Sequence, residues 1–448
     1  MKKMKFSLLI VLSGIFILAS CDKNDDNNTE EIPDESNTIV DVASADENFS
    51  VLIDALELTD LKDALADENA EYTVFAPTND AFSDLLTELG YDELEDLPND
   101  DLKEILLYHV LAGKAEANEV ENGYYSTLAD GPQDGYTLSM YINMDDEMIN
   151  SRASITATDI MADNGVIHVV DKVILPLSLS GHAAANSAFS VLEEVVEKAG
   201  LSETLNNSSL SFTVFAPVDD AFNQLFTNLG FTLDDLSLED LQPILLYHVV
   251  TGFLPSADIE SGYVTTLSQI GEQFVSLQVS LGDNIILNGN SNVIIEDVVA
   301  TNGIIHAIDE VLIPPEVVDL ALDNSDFSYL VEALVKVDLV EALRDEGPFT
   351  VFAPVNSAFE DLFETLGVNG LNDIDDETLE NVLLAHVVSG YFLSSDLSNG
   401  SLSTLNSEKS LTINVDNGIV IDGDINVLLA DIKGTNGVVH VIDKVIVP

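Results

Sequence analysis

The sequence predicts an α+β protein built from three tandem copies of one domain. The first observation is a phrase that occurs three times, Thr73-Val74-Phe75-Ala76-Pro77, Thr213 to Pro217 and Thr350 to Pro354, each closely followed by an Ala-Phe pair. The copies are offset by 140 and then 137 residues, so a chain of 448 residues divides into three lengths that can each bury a core. The second is a change of period within each copy, from helical apolar stripes to short β-branched runs.

The chain opens Met1-Lys2-Lys3-Met4-Lys5, continues with an apolar run from Leu8 to Leu18, and reaches Leu18-Ala19-Ser20-Cys21. The run is too short to span a bilayer, which takes roughly 20 apolar residues, and has the character of a signal-peptide core. Leu-Ala-Ser-Cys resembles the lipobox of bacterial lipoproteins, which implies cleavage after residue 20 and lipidation of Cys21, the only cysteine in the chain. Without a second cysteine no intramolecular disulfide can form, and an exported chain must rely on packing. Residues 21–37 are rich in Asp, Asn and Glu and read as a disordered acidic tether. The expected location is the bacterial envelope, in the outer membrane and exposed at the surface.

From Cys21 onward 12 basic side chains face 80 acidic ones, a formal charge of 12 − 80 = −68. Such a field repels nucleic acid and anionic lipid, leaving the lipid anchor as the expected membrane contact. Divalent cations bridging the acidic surface are a second reading of the charge, but no Asp-x-Asp-x-Asp-Gly loop supports it.

Within each copy the proline is expected to end a short buried strand, and Asn79, Asp219 or Asn356 to cap the helix that follows. That helix carries Phe82, Leu85, Leu86 and Leu89, repeated as Phe222, Leu225, Phe226, Leu229 and as Phe359, Leu362, Phe363, Leu366. A second stripe, Leu102, Ile105, Leu106, His109 and Val110, recurs with His248 and His386 in the later copies, and Pro243 is expected to delay or kink the middle one. Asn164-Gly165, Asn302-Gly303 and Asn436-Gly437 predict type I′ hairpins, because that turn needs positive φ at both central positions. Short joints, from Leu175 to Asn186 and from Ile313 to Val317, bound domains at 38–176, 177–314 and 315–448, and Pro314-Pro315 predicts a restricted angle between the last two. The third terminal strand runs to Pro448, with no further anchor expected.

Thr-Val-Phe-Ala-Pro-x-Asn/Asp-x-Ala-Phe, then Tyr108-His109 or Tyr247-His248, then Asn-Gly-x-Ile/Val-His before Val-Ile-Leu-Pro, resembles the fasciclin (FAS1) domain over residues 38–448. The resemblance implies a wedge-shaped β-sandwich with several helices, and an adhesive, non-enzymatic role toward a matrix polymer, polysaccharide or surface protein. It also implies a contact role for Tyr108, His109, Tyr247 and His248. The third copy departs, with Ala385 in place of the tyrosine and Ser357 in place of Asp80 and Asp220.

Six of the seven histidines sit at repeated positions, His109, His248 and His386 on the helix and His168, His306 and His440 on the last strand. A catalytic zinc site takes about three protein ligands, and each copy repeats two histidines and no thiol, so no metal, cofactor or catalytic residue is expected. A histidine-dependent hydrolase is the remote alternative, and an envelope spacer without a ligand the nearer one. Alternation sets His168 between Val166 and Val170, as a packed core histidine would be. Tyr108, about 100° from the histidine, is expected at the edge of the stripe.

Overall fold

The computed structural model describes residues 37–207, 209–344 and 347–448. The expected signal peptide, Cys21 and the acidic tether as far as residue 36 lie outside them. Each copy begins with short helices, in the first α1 (Ile39–Ser44), α2 (Ser50–Leu58) and α3 (Lys62–Leu65). Strand β1 (Tyr72–Pro77) follows, then α4 (Asn79–Leu89), α5 (Asn99–Tyr108) and β2 (Val110–Ala112). The rest is sheet: β3 (Gly123–Asp130), β4 (Thr137–Asn143), β5 (Met148–Ile149), β6 (Ala153–Ala162) and β7 (Gly165–Val170).

The repeated phrase is the first strand of this sheet. It pairs antiparallel with β2 and parallel with β7, the last strand of the copy, so the start and end of the sheet are held together. Its side chains divide by alternation. Val74 and Ala76 face the helices, where they meet Phe49, Leu52, Phe82 and Leu102. Phe75 faces the sheet interior with Leu138, Met140 and Ile149. Thr73 Oγ1 donates to Gly113 O at 2.8 Å and accepts from Ala115 N–H at 2.9 Å, fastening the loop after β2. Pro77 ends the strand.

In copies one and two the seven strands close on themselves, and the sandwich implied by the resemblance takes the form of a flattened barrel. Strands β3 and β6 turn its corners at register shifts, between Ser126 and Asp130 and between Ile155 and Ile160. The third copy stays open between strands Val387–Ser389 and Gly400–Ser403. The latter has four residues where its counterparts have eight and nine, and a backbone bond from Leu405 N–H to Val387 O at 2.7 Å, just beyond its end, crosses the gap.

Four local expectations are corrected. Asn79 does not cap α4, which Thr78 does; its Oδ1 accepts from Val51 N–H at 2.9 Å and so caps α2. The helix with Pro243 runs Leu238–Tyr247, the same ten residues as α5, because Ser237 and Asp240 form a capping box that starts it on time. The second stripe ends one residue early: His109 is the C-cap of α5, and Val110 begins β2. The Asn-Gly pairs are not type I′ turns, since Gly165 already pairs with Ala162 inside the hairpin and the connection is Asp163-Asn164.

The glycine is required by close approach. A Cβ on Gly165 would lie 2.0 Å from Tyr72 O, and on Gly303 2.1 Å from Phe212 O. The asparagine beside it is a clamp: Asn164 Oδ1 accepts from Ile39 N–H at 2.8 Å and its Nδ2 donates to Leu65 O at 2.8 Å, tying α1 and α3 to the end of the sheet. Asn302 makes the same two bonds with Leu179 and Leu205, and Asn436 with Val317 and Leu343.

Consecutive copies meet through one repeated contact. Ser139 Oγ of β4 accepts from Val299 N–H at 2.9 Å, and Ser276 Oγ, its counterpart, accepts from Lys433 N–H at 3.0 Å. Beside them Asn186 donates to the Tyr124 hydroxyl at 3.1 Å and Asn324 to the Tyr263 hydroxyl at 3.3 Å. Side-chain contacts thus cross both joints, and not only the one that carries Pro314-Pro315. Register places Ser401 of the third copy where Tyr124 and Tyr263 stand, and Asp46 of the first copy caps its 3-10 turn as Asn186 and Asn324 do theirs. The joint tyrosine and asparagine are thus absent from the two outward ends, whereas Ser410 of the third copy keeps the place of Ser139 and Ser276.

Replacing Gly165 with Ala is expected to destabilise the first copy by at least about 3 kcal/mol, since backbone and not a flexible side chain blocks the new methyl. Urea unfolding followed by circular dichroism measures it, with Gly282→Ala, where nothing lies within 4 Å of the added Cβ and φ is not positive, as the comparison.

Candidate functional site

The residues singled out for contact lie in the core. Tyr108 and Tyr247 are fully buried, and His109 and His248 are 2% exposed. Helix α5 has two buried faces: Leu102, Ile105 and Leu106 pack with the helices, and Tyr108 packs into the barrel with Phe75, Leu138 and Met140. Tyr108 Oη donates to Ser139 O at 2.6 Å and accepts from Asn150 Nδ2 at 3.0 Å. Tyr247 Oη repeats this with Ser276 O at 2.9 Å and Asn288 Nδ2 at 3.1 Å. Burial pushes both phenols up from their ordinary pKa. In the folded domain these four side chains cannot touch a macromolecule, and the contact role that the resemblance implied is not available to them.

The helix histidines do structural work instead. His109 Nδ1–H donates to Ile105 O at 2.7 Å, and its Nε2 accepts from Ile174 N–H at 2.9 Å, joining the end of α5 to the segment after β7. His248 bridges Ile244 O and Leu312 N–H, and His386 bridges Val382 O and Ile446 N–H, with nearly the same distances. With one nitrogen donating and the other accepting, each ring is neutral, and burial lowers its pKa to about 4.

The strand histidines hold the corner of the sheet. His168 Nδ1 accepts from Asp159 N–H at 3.3 Å and Nε2–H donates to Ala115 O at 3.0 Å. Asp159 adopts φ 61°, a left-handed conformation that Asp tolerates better than most residues, and its Oδ1 accepts from Ala117 N–H at 2.8 Å. Asp297 with His306 and Asp431 with His440 repeat the arrangement, at φ 59° and 64°. Sequence reasoning missed these aspartates, although one stands nine residues before each strand histidine.

The departure at Ala385 is one half of a double change. Asn150, Asn288 and Asp422 occupy equivalent left-handed positions at φ 50°, 44° and 51°, and each accepts from a backbone N–H of the facing strand. Where the tyrosine becomes Ala385, its amide partner becomes Asp422, which pairs with Lys409 Nζ at 3.0 Å. Lys409 also donates to Val447 O at 2.9 Å. An ammonium-carboxylate pair thus replaces a phenol-amide pair, and Ala385 stays fully buried.

The seventh histidine, His182, lies fully buried at the first joint, edge-on to Tyr124 with ring centroids 5.6 Å apart. Burial lowers its pKa to about 4. Among the described residues no group of three His, Cys, Asp or Glu could hold a metal ion, and no helix is long and apolar enough to cross a membrane.

The family model described as the fasciclin domain matches residues 47–176, 187–314 and 325–448, one match to each copy. The chain belongs to the fasciclin family. Its relatives include transforming growth factor-beta-induced protein ig-h3 of Sus scrofa, 30% identical over 92% of this chain and 58% of that protein. Periostin of Homo sapiens is 26% identical over 92% of this chain and 47% of its own length. The chain spans about half the length of these two relatives. A single-domain stretch of protein sll1483 from Synechocystis is 41% identical over 32% of this chain and 76% of that protein. A solved FAS1 domain pair from the insect cell adhesion molecule fasciclin I is 21% identical, covers 60% of this chain and 94% of its own, and superposes with a TM-score of 0.36.

Two outcomes follow for the fasciclin core. Tyr108→Phe leaves Ser139 O and the Asn150 amide short of a partner, and is expected to cost about 1–3 kcal/mol of stability in denaturant unfolding. Secondly, the unfolded chain protonates His109, His182, His248 and His386 near pH 6.5, whereas the folded chain resists until about 4. Unfolding therefore takes up protons in that window, and stability falls as pH is lowered from about 6.5 toward 4. Asp323, whose pKa burial raises to about 6, acts in the opposite sense, as do Glu104 and Glu316, which burial also raises, while His306 and His440, lowered by burial, add to the four. Urea midpoints at pH 7.5, 5.5 and 4.5 check the sign; a midpoint that rises on acidification contradicts it.

Proposed function

We propose that this chain is a non-enzymatic adhesion protein, anchored in the outer membrane of a bacterial envelope by a lipid on Cys21. Its three fasciclin domains bind a matrix polymer, a polysaccharide or a surface protein by weak, repeated contacts. The observation that carries this reading is the threefold presence of one family domain, with both joints made by the same serine and tyrosine contacts. Copies held in this way present like surfaces at a set spacing, and a second contact made on the same polymer gains from effective concentration instead of new chemistry. Against hydrolysis stands the engagement of both nitrogens of the six repeated histidines with backbone groups, so that none is free to act as a base. The same joints favour a second reading, an envelope spacer with no ligand.

Cells carrying the natural chain, Cys21→Ser, or a chain lacking residues 315–448 separate the two. Adhesion predicts that Cys21→Ser abolishes both lipid labelling and attachment to the matrix. It also predicts that removing the third copy weakens attachment much more than the loss of one site in three. Unchanged attachment together with altered envelope thickness supports the spacer.

A further inference from the structure

The helix layer of the second copy holds a pocket of about 750 Å³, partly open to solvent, whereas the same place in the first copy holds only about 20 Å³. The correspondence is residue by residue: Leu179, Ser180, Val196, Leu205 and Ile305 line the large one, and Ile39, Val40, Leu56, Leu65 and Ile167 the small one. The clamps fix this alignment, since Asn302 grips Leu179 and Leu205 as Asn164 grips Ile39 and Leu65. Phe215 and His248 lie against the large cavity, as Phe75 and His109 lie against the small one.

Two substitutions in the second copy remove packing from this place. Buried Val40 and Val318 of the flanking copies become Ser180, and buried Leu56 and Leu334 become Val196. The cavity also extends along both flanking segments, helix Leu179–Ala185 and residues 201–206. A void of several hundred Å³ in a domain core is far larger than close packing leaves, and its size falls in the range of small-molecule sites, roughly 300–1,000 Å³.

We propose that the second copy binds an elongated apolar molecule, a single alkyl chain whose head group is uncharged or cationic. The wall is aliphatic and aromatic, and the one imidazole in it has both nitrogens engaged, so it has no hydrogen bond to offer a polar body. Polar groups are confined to the lip, where Ser178 and Ser180 both donate to Asn206 Oδ1. The lining carries two exposed carboxylates, Glu193 and Glu197, and no basic side chain, so an anionic head is repelled and an ammonium or hydroxyl head accepted. This inference does not depend on the adhesive role.

The test uses the full chain with dodecylamine, 1-dodecanol and dodecanoate, each below its aggregation concentration, read by native mass spectrometry and isothermal titration. The amine and the alcohol are expected to saturate at one molecule per chain and the carboxylate to bind at least tenfold more weakly. Ser180→Val with Val196→Leu, the residues of the other two copies, should reduce amine and alcohol binding at least tenfold with an unchanged circular dichroism spectrum. Glu193→Lys with Glu197→Lys, both at the surface, should bring dodecanoate to or above the affinity of the amine. No saturable binding by any of the three probes overturns the proposal, as does equal binding by the filled variant. So does saturation at three or more molecules per chain.

Discussion

The parallel pairing of the first and last strands of each copy is the constraint from which the rest follows. A parallel pair needs a long crossover between its strands, and here the crossover is nearly the whole domain: two helices, then the remaining strands of the sheet. Only a glycine lets the last strand begin against the carbonyl of Tyr72, Phe212 or Phe349. Once that contact is made, the neighbouring asparagine reaches the helix ends, the strand histidine reaches the bulge aspartate, and the helix histidine reaches the residue after the last strand. The asparagine bond spans 99 residues and the helix-histidine bond 65, whereas the histidine–aspartate bond spans nine and lies within one hairpin.

Polar side chains in this core therefore have a common character. Histidine, asparagine and tyrosine are all buried, yet almost every one links backbone groups that a strand or helix end leaves unpaired. Burying a polar group is costly unless it is matched, and matching it to an orphan backbone group resolves two problems with one bond. The repeated histidines invite a catalytic reading for the very reason that they repeat; geometry assigns their nitrogens to the scaffold. The third copy shows how such a unit changes. Loss of the phenol at Ala385 comes with a new acid at Asp422 and a lysine at 409, which leaves the left-handed turn intact.

The copies are alike in framework and unlike in detail. The joint pair, tyrosine on one side and asparagine on the other, occurs where two copies meet and is replaced at the outer ends by Ser401 and Asp46. The cavity belongs to the middle copy alone of the two compared, and an open sheet to the last. Three domains of one family on one chain can therefore share a mode of presentation while differing in what each one holds.

Much of this was legible from local pattern. Three domains, α+β class, the short buried strand ended by proline, and the first helical stripe follow from period and repetition, because backbone geometry ties period to face. Packing of the strand histidines was legible for the same reason. Where a local pattern met a long-range contact it misled: Asn-Gly suggested a turn but serves as a clamp and a close approach, and Asn79 suggested its own helix but caps another. Tyr108 looked like an edge residue because a helical wheel shows one apolar stripe, whereas α5 is buried on a second face against the barrel. No spacing rule shows the joints, the paired exchange of Tyr108 and Asn150 for Ala385 and Asp422, or the cavity beside Ser180. Repetition and period are properties of neighbours in the chain; these features depend on which distant residues the fold brings within a few ångströms.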